Sequence, residues 1–449
     1  MQKNENKESG DLIRAPAMEI VRKLKSEGFE AYFVGGCVRD FIRNVLPDDY
    51  DIVTSAHPEQ VMAIFPRTVA VGAKFGVVAV LVENHSYEVA TFRSDDAYVD
   101  GRRPSGVRFS DAHEDVFRRD FTVNGILQNP DTNEIIDYVH GLDDIEQKII
   151  RTIGDPDKRF NEDFLRMLRA VRFAANLDYE IDPATKEAIA KNAANIRQIS
   201  AERLQDELNK ILARKGSRRG FELMSETGLL REVLPEVDRL KGVSQPPLFH
   251  PEGDVWQHTL MMLELLPEDD AIGKRQLAWA ALLHDAGKAV TRTEDERGVH
   301  FYGHVRAGEE IAGEIMQRLR FSRADEDLIT DLIHYHMVFM NVQKMRRSRL
   351  KRFLRMSSFN LHLELHRLDC LASHNMLDNY EFCRVQLQNM AEEDLHPPRL
   401  LTGDDLMALG FTPGKIMGEI LHTLEDRQLE GIIATRQEAE EFVLRNWNK

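Results

Sequence analysis

The chain has 449 residues, 75 acidic against 59 basic, for a formal charge of −16. That length supports about three domains with cores of their own, and that balance argues against a surface coated in nucleic acid, because phosphate contacts draw on Lys and Arg. Cys37, Cys370 and Cys383 show no paired spacing and no apolar stretch is long enough to span a bilayer, so a disulfide framework, a zinc ribbon and a membrane anchor are not expected, and a cytoplasmic location is.

Residues from about 30 to 140 carry most of the strand signal. Short β-rich runs are expected over Glu30–Val34, Tyr50–Val53, Val77–Val82, Ser86–Phe92 and Glu134–Tyr138, with helices over Met18–Lys25 and Pro58–Phe65. The first run ends in Gly35-Gly36, whose backbone N–H groups are free to approach phosphate. Arg39 follows, suited to neutralising a triphosphate, and Asp40 is placed to brace it. Asp49 and Asp51 sit one residue apart on the next run, so strand alternation puts both on one face, where they could share divalent metal ions. Glu88 is either a third carboxylate for that site or an edge-strand surface residue. Downstream, Arg118, Arg119, Asp120 and Asn124 fall within one or two helical turns and suit phosphate and ribose hydroxyls.

After Gly141 the periodicity turns helical, over Arg159–Leu177, Pro183–Asn192, Ala201–Ala213 and Arg219–Glu226, with no convincing strand. Asp163, Arg166, Arg169 and Arg172 recur every three residues, which predicts a stripe on one helix face, either a surface salt-bridge ladder or a reading head for a base. A carboxylate only accepts hydrogen bonds and a guanidinium only donates them. Cytosine and adenine both offer an amino donor beside a ring-nitrogen acceptor, while uracil and guanine offer the reverse order. Asp163 with Arg166 would therefore accept CTP and ATP and reject UTP and GTP.

The proline-rich break Gly242–Gly253 precedes a histidine-rich helical stretch from Trp256 to about Met390, and Pro397-Pro398 precedes a short helical tail. Two basic groups stand out: Lys210, Arg214, Lys215, Arg218 and Arg219, and then Lys344, Arg346, Arg347, Arg349, Lys351, Arg352 and Arg355. Each fits a solvated helix face or an RNA-binding stripe equally well.

Taken in order, Gly35-Gly-Cys-Val-Arg-Asp40 with Asp49-Tyr-Asp51, Arg118-Arg-Asp-Phe-Thr-Val-Asn124, Gly141-Leu-Asp-Asp-Ile145, Glu162-Asp-Phe-Leu-Arg166 and Ser200-Ala-Glu-Arg-Leu-Gln-Asp-Glu-Leu208 resemble the successive motifs of the class II tRNA nucleotidyltransferase and bacterial poly(A) polymerase family. The resemblance implies an α/β nucleotidyltransferase head with a DNA polymerase β-like mixed sheet, followed by an all-α neck and body. It implies untemplated building or repair of the CCA end of tRNA from CTP and ATP, with Mg²⁺ in the head. The family's metal aspartates fall on Asp49 and Asp51, its base-reading pair on Asp163 and Arg166 with Arg169 nearby, and its ribose-contacting motif on Arg118, Arg119, Asp120 and Asn124. The polar stretch from Ser94 to Pro104 and beyond resembles a loop that CC-only members lack, and the acidic tail differs from the basic extension of the poly(A) polymerases. Full CCA addition is therefore the expectation, with A-only addition or poly(A) synthesis as alternatives. Gly125 departs from the family pattern, in which alanine is common.

His258, His284-Asp285 and Asp369 in turn resemble the ligand set of the HD-domain phosphohydrolase superfamily over about residues 250 to 375, with His304 and His336 similar to the extra ligands of its two-metal members. Imidazole and carboxylate suit Mn, Ni, Co or Fe, and the resemblance implies an all-α phosphohydrolase or phosphodiesterase module. The expected organisation is a head over 1–145, a base-reading and RNA-binding neck and body over 146–245, an HD domain over 246–395 and a helical tail over 396–449. Two readings from other classes remain: a metal-dependent phosphohydrolase with an inert head, and an RNA-binding protein with neither activity.

Overall fold

Each β-branched run that alternates in the sequence forms a strand in the computed structural model, which describes residues 2–72, 76–95, 107–213, 215–247, 250–267, 273–390 and 395–447. The chain forms two compact units, Met1–Pro235 and Glu236–Lys449. In the first, β1 (Ala31–Val34), β2 (Asp51–Thr54), β3 (Thr68–Gly72), β4 (Val77–Val82) and β5 (His85–Thr91) are joined by β8 (Ile126–Gln128) and β9 (Ile135–Asp137), while β6 (Arg93–Asp95) and β7 (Val107–Phe109) form a separate ribbon. The seven-stranded order is β3-β4-β5-β2-β1-β8-β9. The β2–β5 pairing is parallel and the others are antiparallel, so the sheet is mixed. Val34, Val53, Phe92, Val116, Leu127 and Ile153 bury together against it.

Two registers position the site. Val34 pairs with Asp51 across β1 and β2, which puts Asp51 at the strand end beside the glycine bend. Ile52 pairs with Val89 across β2 and β5, so the preceding residues, Asp51 and Glu88, are also neighbours.

From residue 141 onward helices dominate, with two departures from the all-helical expectation. Ile149–Ile150 pairs with Glu180–Ile181, and Thr293–Asp295 pairs with Gly298–His300. These ladders are two or three residues long, too short for periodicity to reveal.

The stretch Arg159–Leu177 is not one helix. Pro156–Glu162 ends and Leu165–Leu177 begins, with Asp163 in the gap at φ −154° and ψ 105°. Its carboxylate accepts from the Leu165 backbone N–H at 3.1 Å, satisfying a donor that the new helix start would orphan. Asp163 therefore stands off the helical stripe of Arg166, Arg169 and Arg172.

In the second unit the helices Val255–Glu264, Lys274–Leu283, Arg323–Tyr335 and Phe359–Leu371 pack around Met262, Leu277, Leu332 and Leu368. The helices Gly403–Ala408, Lys415–Leu429 and Arg436–Asn446 share a smaller core around Leu406, Ile420 and Val443. Among the described residues no helix is long and apolar enough to cross a membrane.

Candidate active sites

Gly35 takes φ +77° at the start of the helix Gly36–Ile42, a conformation L side chains rarely adopt. A Cβ there would lie 3.7 Å from Asp51 Oδ2 and 3.9 Å from Arg119 Nη1. The Asp51 carboxylate thus faces the Gly35-Gly36 bend. Burial, with the like charges of Asp49 and Glu88, pushes Asp51 up to about 6 against the pull of Arg119. Burial, Asp48 and Asp40 raise Asp49 as well. Carboxylates crowded enough to resist ionisation are an oxygen-donor set short of positive charge, which fits a hard divalent cation.

The cationic residues around this site are fixed by carboxylates. Arg39 donates to both Asp40 oxygens at 3.0 Å and to Asn124 Oδ1 at 2.8 Å. Arg118 and Arg119 both pair with Asp115, at 2.7 and 3.0 Å. The Asp115 side chain is 1% exposed; burial would raise its carboxyl, but Arg119 and Arg118 overcome that and hold it low. Asn124 also donates to Asp120 at 3.4 Å, and Asp120 takes Arg169 through Nη2 at 2.6 Å. Burial pushes Asp120 up, yet Arg169 prevails and holds it at about 2. Arg172 closes the chain on buried Glu207 at 2.6 Å. Phe173 lies under Arg39, Arg169 and Arg172, with guanidinium carbons 5.6, 5.3 and 4.2 Å from the ring centre.

The Asp163 and Arg166 side chains turn to other partners. Asp163 takes Arg203 at 2.6 and 3.2 Å. Arg166 reaches Glu162 at 2.5 Å, as well as the Arg159 and Arg118 carbonyls. Sequence reasoning missed Asp115, Glu162, Arg203 and Glu207 as partners, although Arg203 and Glu207 lie within the Ser200–Leu208 motif. The polar loop expected after Ser94 falls largely outside the described residues. Gly125 is tightly enclosed: a Cβ would come within 2.9 Å of Ile153 Cδ1 and 3.0 Å of Val139 Cγ2.

In the second unit all six expected ligand residues meet. His284, His304 and His336 each turn Nδ1 toward a backbone carbonyl three residues earlier, at 3.0, 2.9 and 2.6 Å. His258 turns Nδ1 to Glu252 at 2.8 Å. All four Nε2 atoms are thereby left buried without a hydrogen bond. They face carboxylates: His258 Nε2 is 3.2 Å from Asp369, His284 Nε2 is 3.2 Å from Asp285 Oδ2, and His304 and His336 are 3.9 and 4.0 Å from Asp285 Oδ1.

Ligand atoms of His258, His284 and Asp369 form one group within 4.8 Å of one another, and those of Asp285, His304 and His336 form a second. Burial holds His304 below its ordinary value and takes His336 down to about 4, keeping both imidazoles neutral as ligands must be. Burial disfavours charge on His258, but Asp369 and Glu252 raise it to about 9, so a bound metal would displace a proton there. Four orphaned nitrogens among carboxylates fit one or two divalent transition metals.

Glu252 was not foreseen; it also accepts from His250 at 2.8 Å and orients His258. His334 stays outside, bonded to Glu309. A cavity of about 370 Å³ opens over this cluster, bordered by Lys288, His300, Tyr302, Met337, Met340 and His366.

Residues 31–151 match the family model "Poly A polymerase head domain", 178–241 match "Probable RNA and SrmB- binding site of polymerase A", and 255–361 match "HD domain". The chain is 33% identical to the CCA-adding enzyme of Streptococcus mutans over 427 residues, 94% of each protein. It is 44% identical to the CCA-adding enzyme of Bacillus licheniformis over 260 residues, an alignment covering 56% of this chain and 65% of that protein, just under two thirds of its length. Among solved structures, the Bacillus stearothermophilus CCA-adding enzyme in complex with CTP aligns with a TM-score of 0.71 at 27% identity, covering 96% of each chain. The Thermotoga maritima CCA-adding enzyme complexed with tRNA aligns at 0.57 and 20% identity over 95% of this chain and 94% of that one, a likeness of fold.

Proposed function

The chain belongs to the family of CCA-adding enzymes, and from that membership and its head geometry we propose that it builds and repairs the 3′-terminal CCA of tRNA. The 3′-hydroxyl of tRNA attacks the α-phosphate of CTP or ATP, and pyrophosphate leaves. Asp49 and Asp51, with Glu88 alongside, hold Mg²⁺, which when bound supplies charge neutralisation for the triphosphate and a more acidic attacking hydroxyl. The backbone N–H groups at Gly35 and Gly36 and the guanidinium of Arg39 bind phosphate oxygens. Arg39 is pre-aimed by Asp40 and Asn124 and loses little freedom on binding. Arg118 and Arg119, aimed by Asp115, with Asp120 and Asn124, orient the ribose and phosphates.

Asp163 and Arg166 read the base edge, each held by a second residue. A carboxylate accepts about four hydrogen bonds, so Asp163 keeps capacity for the cytosine or adenine amino group while bound to Arg203. Arg169 and Arg172 stabilise the floor of the site through Asp120 and Glu207. The observation that carries this reading is the Asp51 carboxylate facing the glycine bend beside Asp49 and Glu88. It is tested with tRNA ending at the discriminator base, at C, or at CC, given one nucleotide at a time. Products ending in CCA support it. Growth past CCA, or addition of A alone, would assign poly(A) or A-only synthesis instead.

A second reading rests on the four buried Nε2 atoms. His258, His284, Asp285, His304, His336 and Asp369 hold divalent transition metal, whose chemistry when bound is to activate water for phosphoester hydrolysis. The unit hydrolyses phosphate esters at RNA ends, so that damaged termini become substrates for addition. Loss of 2′,3′-cyclic CMP hydrolysis in Asp285→Ala checks it. The partners are tRNA, ATP and CTP, and the compartment is the cytoplasm.

A further inference from the structure

The two basic groups of the sequence have different fates. In the first, Lys210 pairs with Asp206, Arg218 with Glu222, and Arg219 with Glu180 and Glu226; Arg214 lies outside the described residues. In the second, Arg352 and Arg355 both grip Glu425, at 2.7 and 2.6 Å, and Arg352 also takes Asp426. Those cations are structural.

Lys344, Arg346 and Arg349 differ. They are exposed, and the salt bridges and hydrogen bonds among the described residues give them no carboxylate. Arg347 beside them is exposed and shares this lack, so Lys344, Arg346 and Arg349 belong to a local excess of cation in a chain with 75 acidic side chains to 59 basic ones. They line a cavity of about 490 Å³ with Asn341, Met337 and Met345, and among the described residues no acidic one borders it.

This cavity adjoins the metal cavity, because Met337 borders both. The link is the 3₁₀ segment His336–Lys344, which starts at a metal-ligand candidate and ends at a free cation. At roughly 2 Å per residue it spans about 16 Å, the reach of a few nucleotides. Tyr302, which also borders the metal cavity, is 77% exposed, and its ring stacks on His300 at 5.3 Å and 19°. Unpaired cations along a groove and an exposed aromatic platform beside it are the two elements that hold single-stranded nucleic acid.

We propose that Lys344, Arg346 and Arg349 form a subsite for the phosphodiester backbone of single-stranded RNA, placing its 3′-terminal nucleotide over the metal cluster and against Tyr302. This makes the substrate of the second site a polynucleotide end rather than a free nucleotide. It rests on the metal-site reading above, and its test separates the two.

The test uses the full chain, a short single-stranded RNA ending in a 2′,3′-cyclic phosphate, and 2′,3′-cyclic CMP. Fluorescence anisotropy against salt gives RNA affinity and its log–log slope. In the Lys344→Glu/Arg346→Glu/Arg349→Glu variant the slope should become shallower by about 2, from three lost phosphate contacts at about 0.7 each. RNA affinity should fall at least ~10-fold, and KM for RNA hydrolysis should rise with kcat little changed. The charge-keeping variant Lys344→Arg/Arg346→Lys/Arg349→Lys should restore the slope. Unchanged slope and affinity in the reversal variant overturn the proposal. So does an equal loss for cyclic CMP and RNA, which would mark a small-phosphate subsite. Absence of hydrolysis of either probe by the wild type would sink the metal-site reading, while the anisotropy arms still decide the RNA subsite.

Discussion

The two candidate sites solve opposite problems. Around the first site the arginines are already paired with carboxylates: Asp115 takes two arginines, Asp120 takes Arg169, Asp163 takes Arg203 and Arg166 takes Glu162. In the second unit the Nε2 atoms of His258, His284, His304 and His336 are buried with no hydrogen bond. On the proposed function, the first arrangement is a set of arms pre-aimed at a ligand that comes and goes, and the second is a ligand shell that would be satisfied with an ion inside it. Pairing before binding thus marks the exchangeable ligand, and lack of pairing marks the resident one.

The sharpest test of that contrast removes the Asp51 carboxylate, which faces the glycine bend. Asp51→Ala should lower nucleotide addition by about 10³-fold or more, measured with tRNA ending at CC and ATP. The same variant should still bind Mn²⁺ in its second unit by calorimetry. Loss of both would mean that the sites are not separate.

Next in size, Asp163→Ala should relax nucleotide choice, narrowing rejection of UTP relative to CTP by at least ~10² while lowering the maximal rate less. Arg203→Ala should shift choice in the same direction by a smaller factor. If UTP is rejected as strongly by both, Asp163 does not read the base. In the second unit, Glu252→Gln should weaken Mn²⁺ binding by about 10–100-fold, because it orients His258 without being among the six expected ligands. An unchanged affinity would remove Glu252 from the site.

Smaller still is the effect of Asp120→Asn. Asp120 lies at about 2 in the folded chain and near 3.9 when unfolded. Its pKa is depressed by folding, so its stabilisation, about 2 kcal/mol, is complete above about pH 4 and lost as the pH falls through 2. Urea unfolding should show wild type and variant converging over that window. A constant gap would trace the loss to packing rather than to Arg169.

Most of the sheet was legible because alternation is local. Val77–Val82 forms the strand its residues announce, and Ser86–Phe92 is shifted by one residue. The proposed head ligands could be named for the same reason, since Asp49, Asp51 and the glycine bend are close in sequence. What escaped was the choice of partner. Nothing near Asp163 distinguishes a salt-bridge ladder from a helix break whose carboxylate is claimed by Arg203, forty positions away. Glu207 and Glu252 were hidden likewise, because an isolated glutamate reads as solvated until packing encloses it. The basic run from Lys344 to Arg355 could not be divided, since the carboxylates that claim Arg352 and Arg355 lie on a helix some seventy residues on.

Gly125, where the resemblance implies alanine, has its own implication. Ile153 and Val139 have grown into the space a methyl at Gly125 would fill, so the head interior is tailored to a missing carbon. Restoring alanine alone should strain the segment that carries Asn124, by about 1–3 kcal/mol, whereas pairing it with Ile153→Val should relieve the clash, as thermal melts would record. Residues 125 and 153 are then a matched pair, and homologues that exchange one are expected to have exchanged the other.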